Sequence, residues 1–148
     1  QPFVMQGGAG WLSPQGRCFT FDNSASGYVK GEGVGAIVNS PYAETIDGED
    51  IVNKDDPFLG MISAVRCSHS GKGATLSAPN GPQEMEVMEY CLRQAGIHQS
   101  DMDNIDPHGQ GAFMSDAVEM STLKGGLRNE QGEKPLSVST VKSQSGFM

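Results

Sequence analysis

The sequence predicts an α/β fold, and two observations carry that prediction. Short apolar, partly β-branched runs alternate along the chain with segments whose apolar residues recur at helical spacing. Glycine, proline and short polar side chains separate them, as turns require. The 148 residues have the length of one ordinary domain, with no internal repeat and no dividing linker.

The elements follow in order. From Phe21 to Ser40 the chain reads FDNSASGYVKGEGVGAIVNS. It starts polar, passes Gly31, Gly33 and Gly35, and ends in Ala36, Ile37 and Val38, which predicts a loop followed by a buried strand. Pro41 to Asp56 is acidic and polar, and its DGEDIVNKDD portion predicts an exposed, solvated loop. LGMISAVRCS, Leu59 to Ser68, predicts a second strand. PNGPQEMEVMEYCLRQAGI gives the clearest helix. Pro82 suits the first turn, acids fill the start, Gly96 caps the end, and Met85, Met88, Leu92 and Ala95 share an apolar core face. A short strand up to Asp106, a short helix from about Asp116 to Lys124 and a strand at PLSVSTV complete the alternation.

Ten basic and eighteen acidic side chains give a net charge of −8. That balance disfavours nucleic acid or an anionic membrane as partner, and it disfavours an acidic carrier over most of the surface. No apolar run reaches the roughly 20 residues of a membrane span, and the start of the chain lacks a signal-peptide pattern. The chain opens at Gln1 without Met and reads as processed or excised. Cys18, Cys67 and Cys91 are widely spaced and odd in number, which points to a reducing compartment; neither they nor His69, His98 and His108 show metal-site spacing.

Two glycine patterns are excluded as phosphate cradles. Gly31, Gly33 and Gly35 precede a strand, whereas a dinucleotide-binding turn follows one and opens a helix. GKG at Gly71 to Gly73 lacks the upstream glycine and the following Ser or Thr of a P-loop.

DPHGQGAFMSDAVE, Asp106 to Glu119, sets His108 beside glycines that let a ligand approach closely. On these residues alone it is either a surface-loop histidine or a site residue. Asp116 and Glu119, three apart, share one helical face; they read equally as an acid-rich helix start favoured by the macrodipole.

Four stretches, in order, resemble the β-ketoacyl synthase domain of polyketide and fatty acid synthases. LSPQGRCFTFDNSASGYVKGEGVGAIV is similar to its FD-x4-G-[FY]-V-x-GEG block and LSAPNGPQ to its LTAPNGP block. DPHGQG with SDAVE is similar to HGTGTxxGDPxE, and VKSQSG to VKSNxGH. The resemblance implies a thiolase-like fold of layered α/β/α halves, incomplete here. Residues 1–148 would be a segment of a single such domain, lacking the N-terminal part with the nucleophilic cysteine and the C-terminal end.

The implied chemistry is a decarboxylative Claisen condensation of acyl and malonyl thioesters, without a cofactor, the substrates being carried on phosphopantetheine. By resemblance His108 is one of two histidines that donate hydrogen bonds to the thioester oxygen, Lys142 and Glu119 support it, and Asp116 orients the loop. Implied partners are an acyl carrier protein, the acyl and malonyl thioesters, the remaining part of the domain and, when complete, a second copy in a homodimer. The family fits a soluble, intracellular setting, cytoplasm or plastid.

The chain also departs from the pattern. Gln110 and Ala112 replace the two threonines of HGTGT, Ala117 the proline of GDPxE, and Gln144 the asparagine of VKSNxGH. Phe147 stands at the second histidine and has no hydrogen to donate. None of the three cysteines lies in a nucleophile-elbow context. Two expectations follow: a ketosynthase segment, or a non-catalytic ketosynthase-like module that serves binding or assembly.

Overall fold

A computed structural model describes residues 2–53, 57–75, 78–128 and 134–148. Leu76 and Ser77, which open the LSAPNGPQ block, and the end of the acidic stretch at 54–56 lie outside them. In chain order the elements are α1 (Pro2–Gly8), the hairpin β1 (Ala43–Ile46) and β2 (Glu49–Val52), α2 (Gly81–Ala95), a 3₁₀ turn at Gln99–Asp101, β3 (Asn104–Ile105), α3 (Phe113–Leu127), β4 (Ser137–Val138) and α4 (Lys142–Ser145). β3 and β4 pair in parallel, with α3 as the crossover, so the α/β reading holds for this part of the chain.

α2 forms where the sequence places it. The Asn80 side chain accepts from the Gln83 N–H at the N-terminus, Pro82 sits in the first turn where no intrahelical N–H is needed, and Gly96 closes the helix at φ 65°. α2 packs along α3 through small residues. A Cβ on Gly81 would lie 2.8 Å from Thr122 Oγ1, and one on Gly125 would lie 2.9 Å from Met85 Cε. Arg128 then locks the end of α3. Its guanidinium donates to the carbonyls of Gln99, Leu127 and Lys134 at 2.7 Å each, and to that of Met102.

Residues 27–31 form the spine beneath the His108 loop. Tyr28 bridges Leu12 on one side and Lys30 bridges Phe147 on the other, both in parallel. The Gly27 N–H reaches the Gly111 carbonyl at 2.9 Å and the Phe147 N–H reaches the Val29 carbonyl at 2.7 Å. Among the described residues the buried apolar side chains are Tyr28 on this spine, Cys18 bonded against it, and Leu123 and Leu127 on α3.

Four expectations are corrected. Ala36, Ile37 and Val38 form no strand, and Ile37 and Val38 are 86% and 96% exposed. LGMISAVRCS likewise pairs with nothing among the described residues, and its Leu59 is fully exposed. A strand needs a neighbour to satisfy its backbone, and among the described residues neither run pairs with one. The acidic stretch is no plain loop but the β1–β2 hairpin, closed by Asp47 and Gly48 at φ 53° and 86°, both in the left-handed region a two-residue hairpin turn requires. α3 runs three residues further in each direction than Asp116 to Lys124, and α1 and α4 were not foreseen.

Candidate active site

The loop between β3 and α3 carries His108, and α3 holds the loop in place. The Glu119 carboxylate spans two backbone donors: Oε1 accepts from the His108 N–H at 2.6 Å and Oε2 from the Gly109 N–H at 2.8 Å. Asp116, one turn earlier on α3 and buried, accepts from the Phe21 N–H at 3.0 Å and the Gly111 N–H at 3.3 Å. Both carboxylates therefore bind the loop rather than merely favouring the start of their own helix. Thr20 Oγ1 donates to the Gly109 carbonyl at 2.7 Å, which ties the loop to the polar segment before the spine.

Glycine is required at 109 and 111. Both have positive φ, at 43° and 85°, and a Cβ would lie 2.6 Å from Thr20 Cγ2 at the first and 2.9 Å from the Gly27 carbonyl oxygen at the second. Just ahead of these tight positions His108 stays exposed. Its Nε2 lies 3.2 Å from Gln110 Oε1, and its ring meets that of Phe147 edge-on, centroids 5.6 Å apart. Phe147 also contacts Tyr28, with centroids 5.1 Å apart, while the Lys30 and Lys142 ammonium groups lie 5.1 and 5.9 Å from its ring centroid.

A cleft of about 500 Å³ opens beside His108, walled by α2 and α3 and floored by residues 105–107. Glu119, Thr122, Glu84 and His69 reach it. Burial and the neighbouring Glu119 charge raise the pKa of Glu84, against smaller opposing contributions from nearby Thr122 and His108. The structure thus gathers His108, Glu119 and Asp116 at one loop and places Lys142 at the Phe147 ring. Thr20, Phe21, Glu84 and His69 joined this neighbourhood without a sequence signal, since each arrives from a distant segment. Cys18 is buried with its Sγ accepting from the Val29 N–H at 3.2 Å, while Cys67 is exposed. No group of three or more metal-binding side chains occurs among the described residues, and none of their helices is long and apolar enough to cross a membrane.

The backbone is that of a thiolase-like α/β fold segment. It superposes on the ketosynthase from module 6 of the bacillaene synthase of Bacillus subtilis with a TM-score of 0.83 and 28% identity, over 98% of this chain and 25% of that one. An oxazolomycin ketosynthase domain of Streptomyces albus, 22% identical, shares the fold at a TM-score of 0.74, over 98% of this chain and 24% of that one. The model of the beta-ketoacyl synthase C-terminal domain matches residues 59–148 and that of the N-terminal domain residues 1–44. The chain belongs to the beta-ketoacyl synthase family. Norsolorinic acid synthase of Dothistroma septosporum is 36% identical over 140 residues, and a phenolphthiocerol/phthiocerol polyketide synthase subunit of Mycobacterium tuberculosis 30% over 139. These alignments cover 92% and 94% of this chain but 6% of each relative. Most of the β1–β2 hairpin falls in the interval 45–58 between the two family matches.

Proposed function

We propose that this chain is the middle-to-late segment of a single ketosynthase domain of polyketide-synthase type, and that His108 donates a hydrogen bond to the thioester oxygen during decarboxylative Claisen condensation. The observation that carries this reading is the Glu119 carboxylate gripping the two N–H groups that flank the exposed imidazole. A donor aids catalysis when its direction is fixed before charge develops, and this grip fixes the turn while leaving the ring at the mouth of the cleft. Asp116 and Glu119 are positioning residues, and Lys142 supports the same region from α4. The acyl thioester that the malonyl-derived enolate attacks would be held on a cysteine elsewhere in the domain, and malonyl and acyl groups would arrive on phosphopantetheine from an acyl carrier protein. A carrier is acidic and this chain has a net charge of −8, so docking belongs to other parts of the protein. The complete domain would pair as a homodimer.

The non-catalytic reading rests on one contact: the Phe147 ring sits against His108, where a second donor would otherwise point. Carbon dioxide release from a malonyl thioester by the whole protein separates the two. Wild type should release it, and His108→Ala should lower the rate about 10²–10³-fold, the usual cost of one oxyanion donor. Silence in wild type and in Phe147→His alike would favour the binding module.

A further inference from the structure

Around Phe147 the chain gathers three basic groups, of which the sequence pattern leaves only Lys30 without a role. The Lys30 ammonium lies 5.1 Å from the Phe147 ring centroid and 5.4 Å from that of Tyr28; Lys142 lies 5.9 Å from Phe147, and His108 faces the same ring edge-on. Neither lysine has a carboxylate partner within 4.0 Å among the described residues. In a chain with eighteen acidic side chains and ten basic ones, unpaired cations converging on one ring are the reverse of the average surface. A cation without a carboxylate partner attracts an anion, and negative charge developing on a substrate oxygen is such an anion.

We propose that Lys30 supplies the second hydrogen bond to the enolate oxygen, the one Phe147 cannot give. This inference rests on the ketosynthase reading above. In the decarboxylation, the bond between the malonyl α-carbon and its carboxylate breaks, carbon dioxide leaves, and the electron pair moves into the thioester, placing negative charge on its oxygen. His108 donates from one side. Lys30 donates from the other and keeps its proton, so nothing is oxidised and no further reactant enters. The backbone under Lys30 is well anchored for this role: the Phe147 N–H bonds the Val29 carbonyl at 2.7 Å, and the Gly31 N–H bonds the Phe147 carbonyl at 2.9 Å. Above that anchor, the four-carbon stem can aim any of three N–H donors. Phe147 and Tyr28 then hold the ammonium group itself, through their ring electrons, at the edge of the site.

Carbon dioxide release from malonyl-pantetheine by the whole protein tests the assignment, with wild type, Lys30→Met, Phe147→His and the double variant compared. Lys30→Met should lose about 10²–10³-fold. Phe147→His should gain less than about tenfold on wild type, since the second donor is already present, yet should restore most of the Lys30→Met loss. Thermal melting of each variant distinguishes lost chemistry from lost folding; if Lys30→Met fails to fold, Lys30→Gln takes its place. A rate unchanged in Lys30→Met, or a silent wild type awakened by Phe147→His, would overturn the role of Lys30 while leaving His108 in place. Silence in both wild type and Phe147→His would remove the ketosynthase reading and Lys30 with it.

Discussion

Glu84, in the first turn of α2, ties one carboxyl group at the cleft to pH. Burial and the Glu119 charge raise its pKa above the ordinary 4.5, although Thr122 and His108 nearby oppose them. A carboxyl raised in this way binds its proton more tightly in the folded state than in the unfolded one, so its favourable contribution is complete below the unfolded pKa. It is lost as pH rises through the folded value. Glu84→Gln keeps the shape and cannot ionise. Between about pH 4 and about pH 7 the variant's melting temperature should therefore fall less, or rise more, than that of wild type, in melts of the intact domain. Parallel curves would show that Glu84 keeps its ordinary pKa in the fold. At this scale the sequence was informative wherever a motif is local: His108, Asp116 and Glu119 all lie within fourteen consecutive residues, Asp106 to Glu119. It was silent where folding joins distant segments, as with the Phe21 N–H on Asp116, 95 positions away.

The elements divide by whether their stabilising partners lie nearby in sequence. α2 was legible because cap, first-turn proline and terminal glycine are all in one stretch. The β1–β2 hairpin carried a readable signal too, since Asp47 and Gly48 are the residue types that tolerate positive φ in succession, but the acidity around them suggested solvated loop. The α2–α3 crossing allows a test in which two glycines differ in sign. A Cβ on Gly125 meets only the flexible end of Met85, and alanine is the better helix former, so Gly125→Ala should stabilise by up to about 1 kcal/mol. A Cβ on Gly81 meets Thr122 Oγ1, whose hydroxyl is held by the Val118 carbonyl at 2.9 Å on a β-branched side chain. Gly81→Ala should therefore destabilise by about 1–3 kcal/mol. Urea denaturation of the intact domain measures both; a stable Gly81→Ala would mean that the helices separate without cost.

For the molecule as a whole, the exposed apolar runs are the controlling feature. Val34, Ile37, Val38, Leu59, Ile62 and Val65 lie on two segments that form no ladder, while among the described residues the buried apolar side chains are Cys18, Tyr28, Leu123 and Leu127. This balance accounts for the two strands that sequence periodicity announced and the structure lacks. Periodicity reports that a run is meant to be covered, not what covers it. The backbone nevertheless follows that of a ketosynthase over 98% of its length while spanning a quarter of that larger chain, so in our reading the remainder of the domain supplies the cover. Residues 1–148 expressed alone should then self-associate through these runs, because unpaired apolar backbone is a template for pairing with another copy. Size-exclusion chromatography should show oligomers that increase with concentration, and amide exchange should be fast at 34–38 in dilute solution. Replacing Ile37 and Leu59 together with lysine should shift the population toward monomer, since charge on an open edge opposes stacking. A compact monomer with protected amides at 34–38 and 59–65 would show instead that the two runs cover each other within the chain, and that this segment is a domain in its own right.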